Sequence, residues 1–276
     1  MYINCKGTLV DLSTPRVMGI LNLTPDSFYD GGRYADRNRI LQKTEQMLEE
    51  GAAFIDVGGY SSRPGALEIP EEEELKRVLP AITGILERFP DTYISVDTFR
   101  SSVARAAVEA GAVMINDISA GLLDTAMLTT IGELQVPYCM MHMQGTPQTM
   151  QNAPVYTDIL QEVLYFFSER IAAAREKGIH DLIIDPGFGF GKTLEHNYEL
   201  LSKMESFCML DHPLLIGVSR KSMIYKPLNT LPENALNGTT ALHMAALAKG
   251  AAILRVHDVK EAMECITLSK LIYSKK

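Results

Sequence analysis

The sequence has no tryptophan, only four cysteines, and no apolar run long enough to cross a bilayer. Each shortage excludes something. Cys5, Cys139, Cys208 and Cys265 are too scattered for a CxxC metal or redox pair, and so few thiols in a long chain fit a reducing compartment. They read as free thiols, mostly buried. A membrane helix needs about 20 consecutive apolar residues, which no stretch approaches. The opening "MYINCKGTLVDLS" has no basic segment followed by an apolar run, so no secretory leader is read there and a cytoplasmic location is expected. Positive charge is also scarce. With 26 Lys and Arg against 34 Asp and Glu, the net charge is −8, and the broad positive field that attracts nucleic acid or anionic lipid is missing. Neither partner is expected, although a few local cations suffice for a small anionic substrate. Low-complexity tracts and compositional breaks are absent too. Residues 1–276 are therefore read as one domain, a length that single α/β barrels reach.

What the chain does have is a repeated alternation. "YINCKGTLVDL" reads as a short hairpin around Lys6-Gly7, of the kind that can plug one end of a larger fold. Eight short apolar runs follow, beginning at Val17, Phe54, Tyr93, Val113, Tyr138, Leu182, Leu214 and Ala252. They are nearly continuous in apolar residues rather than alternating, the pattern of parallel strands covered on both faces. Segments of helical period lie between them. "DRNRILQKTEQMLEEGA" puts Ile40, Leu41, Thr44, Met47 and Leu48 on one stripe and stops at Gly51, and "EEEELKRVLPAITGILERF" opens with acids where a helix amino terminus favours them. Further helices are predicted over Ser101 to Ala110, Thr125 to Glu133, Asp158 to Lys177, Leu194 to Met204 and Asn237 to Lys249. Strands alternating with helices predict an α/β fold, a (β/α)8 TIM barrel with a short N-terminal β-hairpin, over a doubly wound sheet.

The polar residues decide where chemistry could lie. They gather at the carboxyl ends of the apolar runs: Asn22, Asp56, Asp97, Asn116 with Asp117, His142, Asp185, Ser219 with Arg220 and Lys221, and Arg255 with His257. A single aspartate there is commonly a helix cap. Capping does not explain asparagine, histidine, lysine and arginine recurring strand after strand, whereas a barrel brings those ends to one mouth, where active sites of the fold lie. Asp97, Asn116 and Asp185 can exchange hydrogen bonds with the N–H groups of a flat heterocycle, and Lys221 can donate to its carbonyl or ring nitrogen. Arg255 and His257 alternate along a strand and can face one anion, with Arg63 and Arg220 adding cationic reach. Weaker signals are set aside. "GFGFGKT" leaves three residues between Gly187 and Gly191, one short of a phosphate-binding P-loop, and "CMMHM" reads as core filler rather than a soft metal site.

With these pieces assembled, the chain resembles the dihydropteroate synthases, a family of pterin-binding enzymes. The stretches that carry the likeness are "GILNLTPDSFYDGGRY", "FIDVGGYSSRPGA", "ISVDTFRSSVARAA", "INDISA", "MHMQGTP", "DPGFGFGKT", "GVSRKS", "NGTTALH" and "RVHDV". The resemblance implies condensation of 6-hydroxymethyl-7,8-dihydropterin diphosphate with p-aminobenzoate, giving 7,8-dihydropteroate and pyrophosphate in folate biosynthesis by a dissociative, SN1-like route. It further implies that Asp97, Asn116, Met140, Asp185, Gly217 and Lys221 hold the pterin. Asn22, Arg63, Arg255 and His257 would bind the diphosphate, with Asn22 also a ligand of Mg2+, the implied cofactor. Phe28, Ser62, Arg63, Pro64, Phe190, Lys221 and Ser222 would form the p-aminobenzoate site, and the first two loops, carrying Phe28, Arg33 and Ser61 to Gly65, would close over it. Asn22, Asp97, Lys221 and Arg255 are the implied catalytic set, and a homodimer through helices at the barrel's side is implied as well. One departure is visible. Where the family commonly reads GGESTRPG, this chain reads "GGYSSRPG", with Tyr60 for the glutamate and Ser62 for the threonine. The sequence leaves open where Tyr60 points.

Overall fold

The computed structural model describes residues 1–23, 33–61, 68–150 and 154–273, with 33–36 described by backbone alone. The expectations for Phe28, Ser62, Arg63, Pro64, Gly65 and the Arg33 side chain lie outside the described residues.

Strands β1 (Tyr2–Cys5) and β2 (Thr8–Asp11) form the antiparallel hairpin, with Lys6 and Gly7 both at positive φ in its two-residue turn. Eight parallel strands follow: β3 (Arg16–Asn22), β4 (Phe54–Gly58), β5 (Tyr93–Asp97), β6 (Met114–Asp117), β7 (Tyr138–Met141), β8 (Leu182–Asp185), β9 (Leu214–Ile216) and β10 (Ala251–Val256). They close into a barrel in chain order, β10 pairing with β3. The strands expected from the sequence are all present.

Helices α1 (Arg33–Glu49), α2 (Glu71–Arg88), α3 (Ser101–Glu109), α4 (Met127–Leu134), α5 (Ile159–Glu176), α6 (Leu194–Ser202), α7 (Ser222–Tyr225), α8 (Leu236–Ala248) and α9 (Val259–Tyr273) accompany them. Local chemistry fixes several starts. Four glutamates occupy the first turn of α2, Asp158 caps α5 by accepting from Gln161 N at 3.0 Å, and Thr193 with His196 closes a capping box on α6. In α1 the predicted stripe turns inward, with Thr44 and Met47 fully buried. The sequence reading marked no element after β10 and none at Ser222–Tyr225. In α9 the buried residues Val259, Ala262, Cys265 and Ile266 follow a helical period, but exposed Leu268, Leu271 and Ile272 blur the stripe.

Strand alternation sorts the interior from the wall. Wall residues such as Val17, Leu21, Ile55, Val57, Ile94 and Val96 pack outward against the helices in the large core, while Met18, Phe54, Met114, Cys139, Ile183, Leu215 and Ile253 point into the barrel. Ile3, Cys5, Val10 and Leu12 of the hairpin pack onto that inner set. The amino-terminal end of the barrel is thus stoppered by apolar side chains, and the inward positions change to polar only toward the other end. Among the described residues no helix is long and apolar enough to cross a membrane.

Candidate active site

The inward alternation that buries Met18 and Phe54 brings Asn22, Asp56, Asp97, Asn116, Asp185 and Arg255 to the carboxyl end of the barrel. Arg255 is the hub. Its Nε donates to Asp56 Oδ2 at 2.6 Å and its Nη2 to Asp97 Oδ2 at 2.7 Å, while Asn116 Nδ2 donates to the same Asp56 oxygen at 3.1 Å. Asp185 Oδ1 accepts from Gly187 N at 2.8 Å. Gly58 keeps the wall clear between Asn22 and Asp97, and Gly217 does so beside Asp185 and Lys221, since a methyl group at either would approach those side chains.

Charges here are shaped by burial. Burial pushes the Asp97 carboxyl up to about 7; Arg255 opposes the shift, and Asp56 adds to it. Asp185 is raised by burial as well, against Lys221 and the Gly187 amide. Burial brings the Lys221 ammonium down to about 8, with Asp185 pulling the other way. Burial works against the charge of Arg255, but Asp56 and Asp97 more than offset it, so its proton is held more tightly than usual.

A cavity of about 750 Å³ opens above this network. Asn22, Asp97, Phe190, Gly217, Lys221, Ser222, Arg255 and His257 are among the residues that line it. A deeper recess is lined by Asp97, Asn116, Asp185, Gly217, Lys221 and Arg255. Lys221 crosses the boundary: its Nζ donates to Phe188 O at 2.5 Å and lies 4.7 Å from the Phe190 ring centre.

Two expectations need correction. Met140 does not line the recess; it is fully buried in the layer between sheet and helices, and Met141 takes the inward position. Alternation along β7 forces this, because neighbouring residues face opposite sides. Arg220 is not a free cation either. Its Nε and Nη2 grip Asp258 at 2.8 Å each, and Nη1 donates to Pro232 O and Glu233 O at 3.1 and 2.7 Å. Arg220 itself has a left-handed backbone (φ 55°) just before Lys221.

Sequence reasoning gave no role to Asp56, the buried partner of Arg255, and left Tyr60 open. Tyr60 lines the cavity. Its ring meets Phe99 edge-on at 5.1 Å, the Arg100 guanidinium lies 5.5 Å from its centre, and its hydroxyl accepts from Gln148 Nε2 at 3.2 Å. Arg100 also bonds buried Glu74 at 2.6 Å and Ile69 O at 2.7 Å. The Phe99-Arg100 pair after β5 was the available signal, an aromatic and a cation adjacent to Tyr60's strand.

A closed barrel with hydrogen-bonding side chains deep in one mouth and cations above them defines a small-molecule enzyme for a flat, polar ligand. The sequence profile described as "Pterin binding enzyme" matches residues 18–257, and the chain belongs to that family. It is 47% identical over 278 residues to the dihydropteroate synthase of Escherichia coli K12, covering all of this chain and 98% of the relative. It is similar in structure to Yersinia pestis dihydropteroate synthase in complex with a sulfonamide drug, with a TM-score of 0.94, 43% identity and full coverage of both chains. Xanthomonas albilineans dihydropteroate synthase with 4-aminobenzoic acid gives a TM-score of 0.93 at 42% identity, covering 100% of this chain and 99% of that one. Within the family the function is therefore that of the dihydropteroate synthases, and the enzyme is a transferase.

Proposed function

We propose that this chain condenses 6-hydroxymethyl-7,8-dihydropterin diphosphate with p-aminobenzoate, forming 7,8-dihydropteroate and releasing pyrophosphate, in the cytoplasm and as a homodimer. The observation that carries the reading is the meeting of two chemistries in one site: Asp97, Asn116 and Asp185 line the recess, Arg255 lines both recess and cavity, and His257 and Asn22 line the cavity. A pterin offers N–H donors and ring acceptors that match the first group, and a diphosphate matches the second. The Xanthomonas relative, solved with 4-aminobenzoic acid, supports the same second substrate here.

In the dissociative route the bond between the pterin's exocyclic carbon and the diphosphate oxygen breaks first, and the electron pair leaves with pyrophosphate. The amine nitrogen then attacks the carbon with its lone pair and sheds a proton to solvent. An aromatic amine is neutral at pH 7, so no general base is assigned. Asp97 and Asp185 face the ring system and stabilise positive charge developing on it, while Arg255 and His257 favour negative charge on the departing group. The stoppered barrel keeps water from the far side of the cation.

Magnesium fits this donor set. Asn22 presents a hard amide oxygen to the cavity, and Arg255 shares its charge with Asp56 and Asp97, so a metal ion would add to the neutralisation of a polyanionic diphosphate. Asn22 and substrate oxygens would hold the ion, which would supply charge neutralisation of the leaving group. Among the described residues no cluster of three or more His, Cys, Asp or Glu side chains is available to a metal. The exposed Leu268, Leu271 and Ile272 on α9 support pairing of two barrels side by side.

The decisive experiment supplies purified protein with Mg2+ and both substrates. Pyrophosphate and dihydropteroate should appear in equal amounts. Tight pterin binding without turnover would replace this reading with a non-catalytic pterin-binding protein.

A further inference from the structure

The glycine-rich run "GFGFGKT", set aside as a nucleotide loop, encloses a lysine that the reaction does not use. Lys192 is 4% exposed, and its Nζ has four acceptors: Gly187 O at 2.9 Å, Phe190 O at 3.0 Å, His142 O at 3.2 Å and His142 Nδ1 at 2.9 Å. Burial brings the Lys192 ammonium down to about 7; while it is charged it only donates, and His142 then accepts at Nδ1 with its own proton on Nε2. Burial, and then the charge of Lys192, hold that imidazole well below its usual range, which keeps it neutral. The Phe166 and Tyr156 rings pack on it at 4.8 and 6.1 Å.

Two of the four acceptors come from the loop after β7 and two from the loop after β8. Those loops approach too closely for side chains to fill the seam. A methyl group at Gly187 would fall 1.9 Å from His142 O, and one at Gly191 would fall 2.6 Å from Gln144 O. Three backbone carbonyls therefore meet where water has little room; Gly187 O also accepts from Phe190 N at 3.1 Å, and Lys192 shares its three N–H donors among the carbonyls and His142.

What the seam supports is Lys221. The Lys221 side chain runs along residues 188–190: its Cδ passes 3.2 Å from where a Gly189 methyl would be, its Nζ donates to Phe188 O, and the Phe190 ring lies beneath the charge. Gly189 N is itself tied to α6 through Asn197 Oδ1 at 2.7 Å. We propose that Lys192 is a positioning residue for Lys221, joining the loops after β7 and β8 into the rigid bed on which the site lysine lies. This rests on the reading of Lys221 as a residue that holds the pterin.

A double-mutant cycle on binding of a phosphate-free pterin, measured by calorimetry, tests it. Lys221→Met should weaken binding about tenfold or more, and Lys192→Met, which touches no ligand, should weaken it several-fold. The pair together should bind within about twofold of Lys221→Met alone, because the bed no longer has a lysine to aim. Independent losses that multiply would overturn the proposal and leave Lys192 a purely structural brace. If Lys221→Met leaves pterin binding unchanged, the reading of Lys221 is what fails. Lys192→Arg keeps the charge but misplaces its donors, so it carries the same cycle should Lys192→Met not fold.

Discussion

Arg255 Nε and Asp56 Oδ2 meet at 2.6 Å although 199 positions separate them in the chain. The two strands involved, β10 and β4, flank β3, where the barrel closes. A fully buried carboxylate there has no counter-charge other than Arg255 among its recorded partners, and its second oxygen, Oδ1, has no hydrogen-bond partner among the described residues. Asp56→Ala should therefore cost about 3–5 kcal/mol, the loss typical of breaking a buried ion pair. Urea denaturation measures this directly. A variant within half of that range of the parent would show that Arg255 is adequately held by Asp97 alone.

Arg255 itself divides two ligands. Replacing it by alanine should weaken binding of the pterin diphosphate about 10- to 100-fold, the scale of a charge-assisted hydrogen bond, and that of a pterin lacking phosphate far less. Calorimetry on both ligands gives the ratio, and equal losses would remove Arg255 from the diphosphate site.

The titrations of Asp97 and Lys221 oppose each other. In the proposed site ionised Asp97 would accept a pterin N–H, so affinity should rise with pH through about 7; protonated Lys221 would donate, so affinity should fall through about 8. A bell-shaped profile of kcat/KM for the pterin substrate is expected. For stability the signs differ. A carboxyl raised from 3.8 contributes less stability as pH climbs from about 4 to about 7, and a lysine lowered from 10.5 contributes more between about 8 and that value. Asp97→Asn should remove the acid limb of the profile; a limb that persists belongs to another group.

Gly187 has positive φ (72°) and a carbonyl 1.9 Å from any added methyl. Gly187→Ala should destabilise the protein by about 3 kcal/mol or more, through both the left-handed backbone and the forced separation of two loops. Thermal unfolding will show it, and an unchanged midpoint would mean that the seam opens freely.

Much of this fold is legible in the chain because strands covered on both faces leave continuous apolar runs, such as the one that opens at Val17. The same continuity hides the facing. In "YCMM" every residue is apolar, so nothing in the run says that Met141 rather than Met140 turns inward; the barrel closure decides it. Polar ends are easier, since Asp97, Asn116 and Asp185 can only be buried where a partner or ligand satisfies them. Pairings across long stretches are the hardest. Asp258 consumes the guanidinium of Arg220 from 38 positions away, and Tyr60 is placed by Phe99, Arg100 and Gln148, none of which its own motif contains. The last helix was missed for a different reason: its outer face is nearly as apolar as its inner one.

The hairpin stopper closes the amino-terminal end of the barrel, so among the described residues the cavity opens at the other end. A ligand on Asp97 and Asn116 in the recess is then expected to arrive before a neighbour seated toward Ser222 in the wider cavity, and to leave after it. Traffic through such a room is last in, first out. On the proposed seating of the two substrates, a fixed order of entry is expected, set by Ile3, Val10 and Leu12 at the opposite end of the barrel.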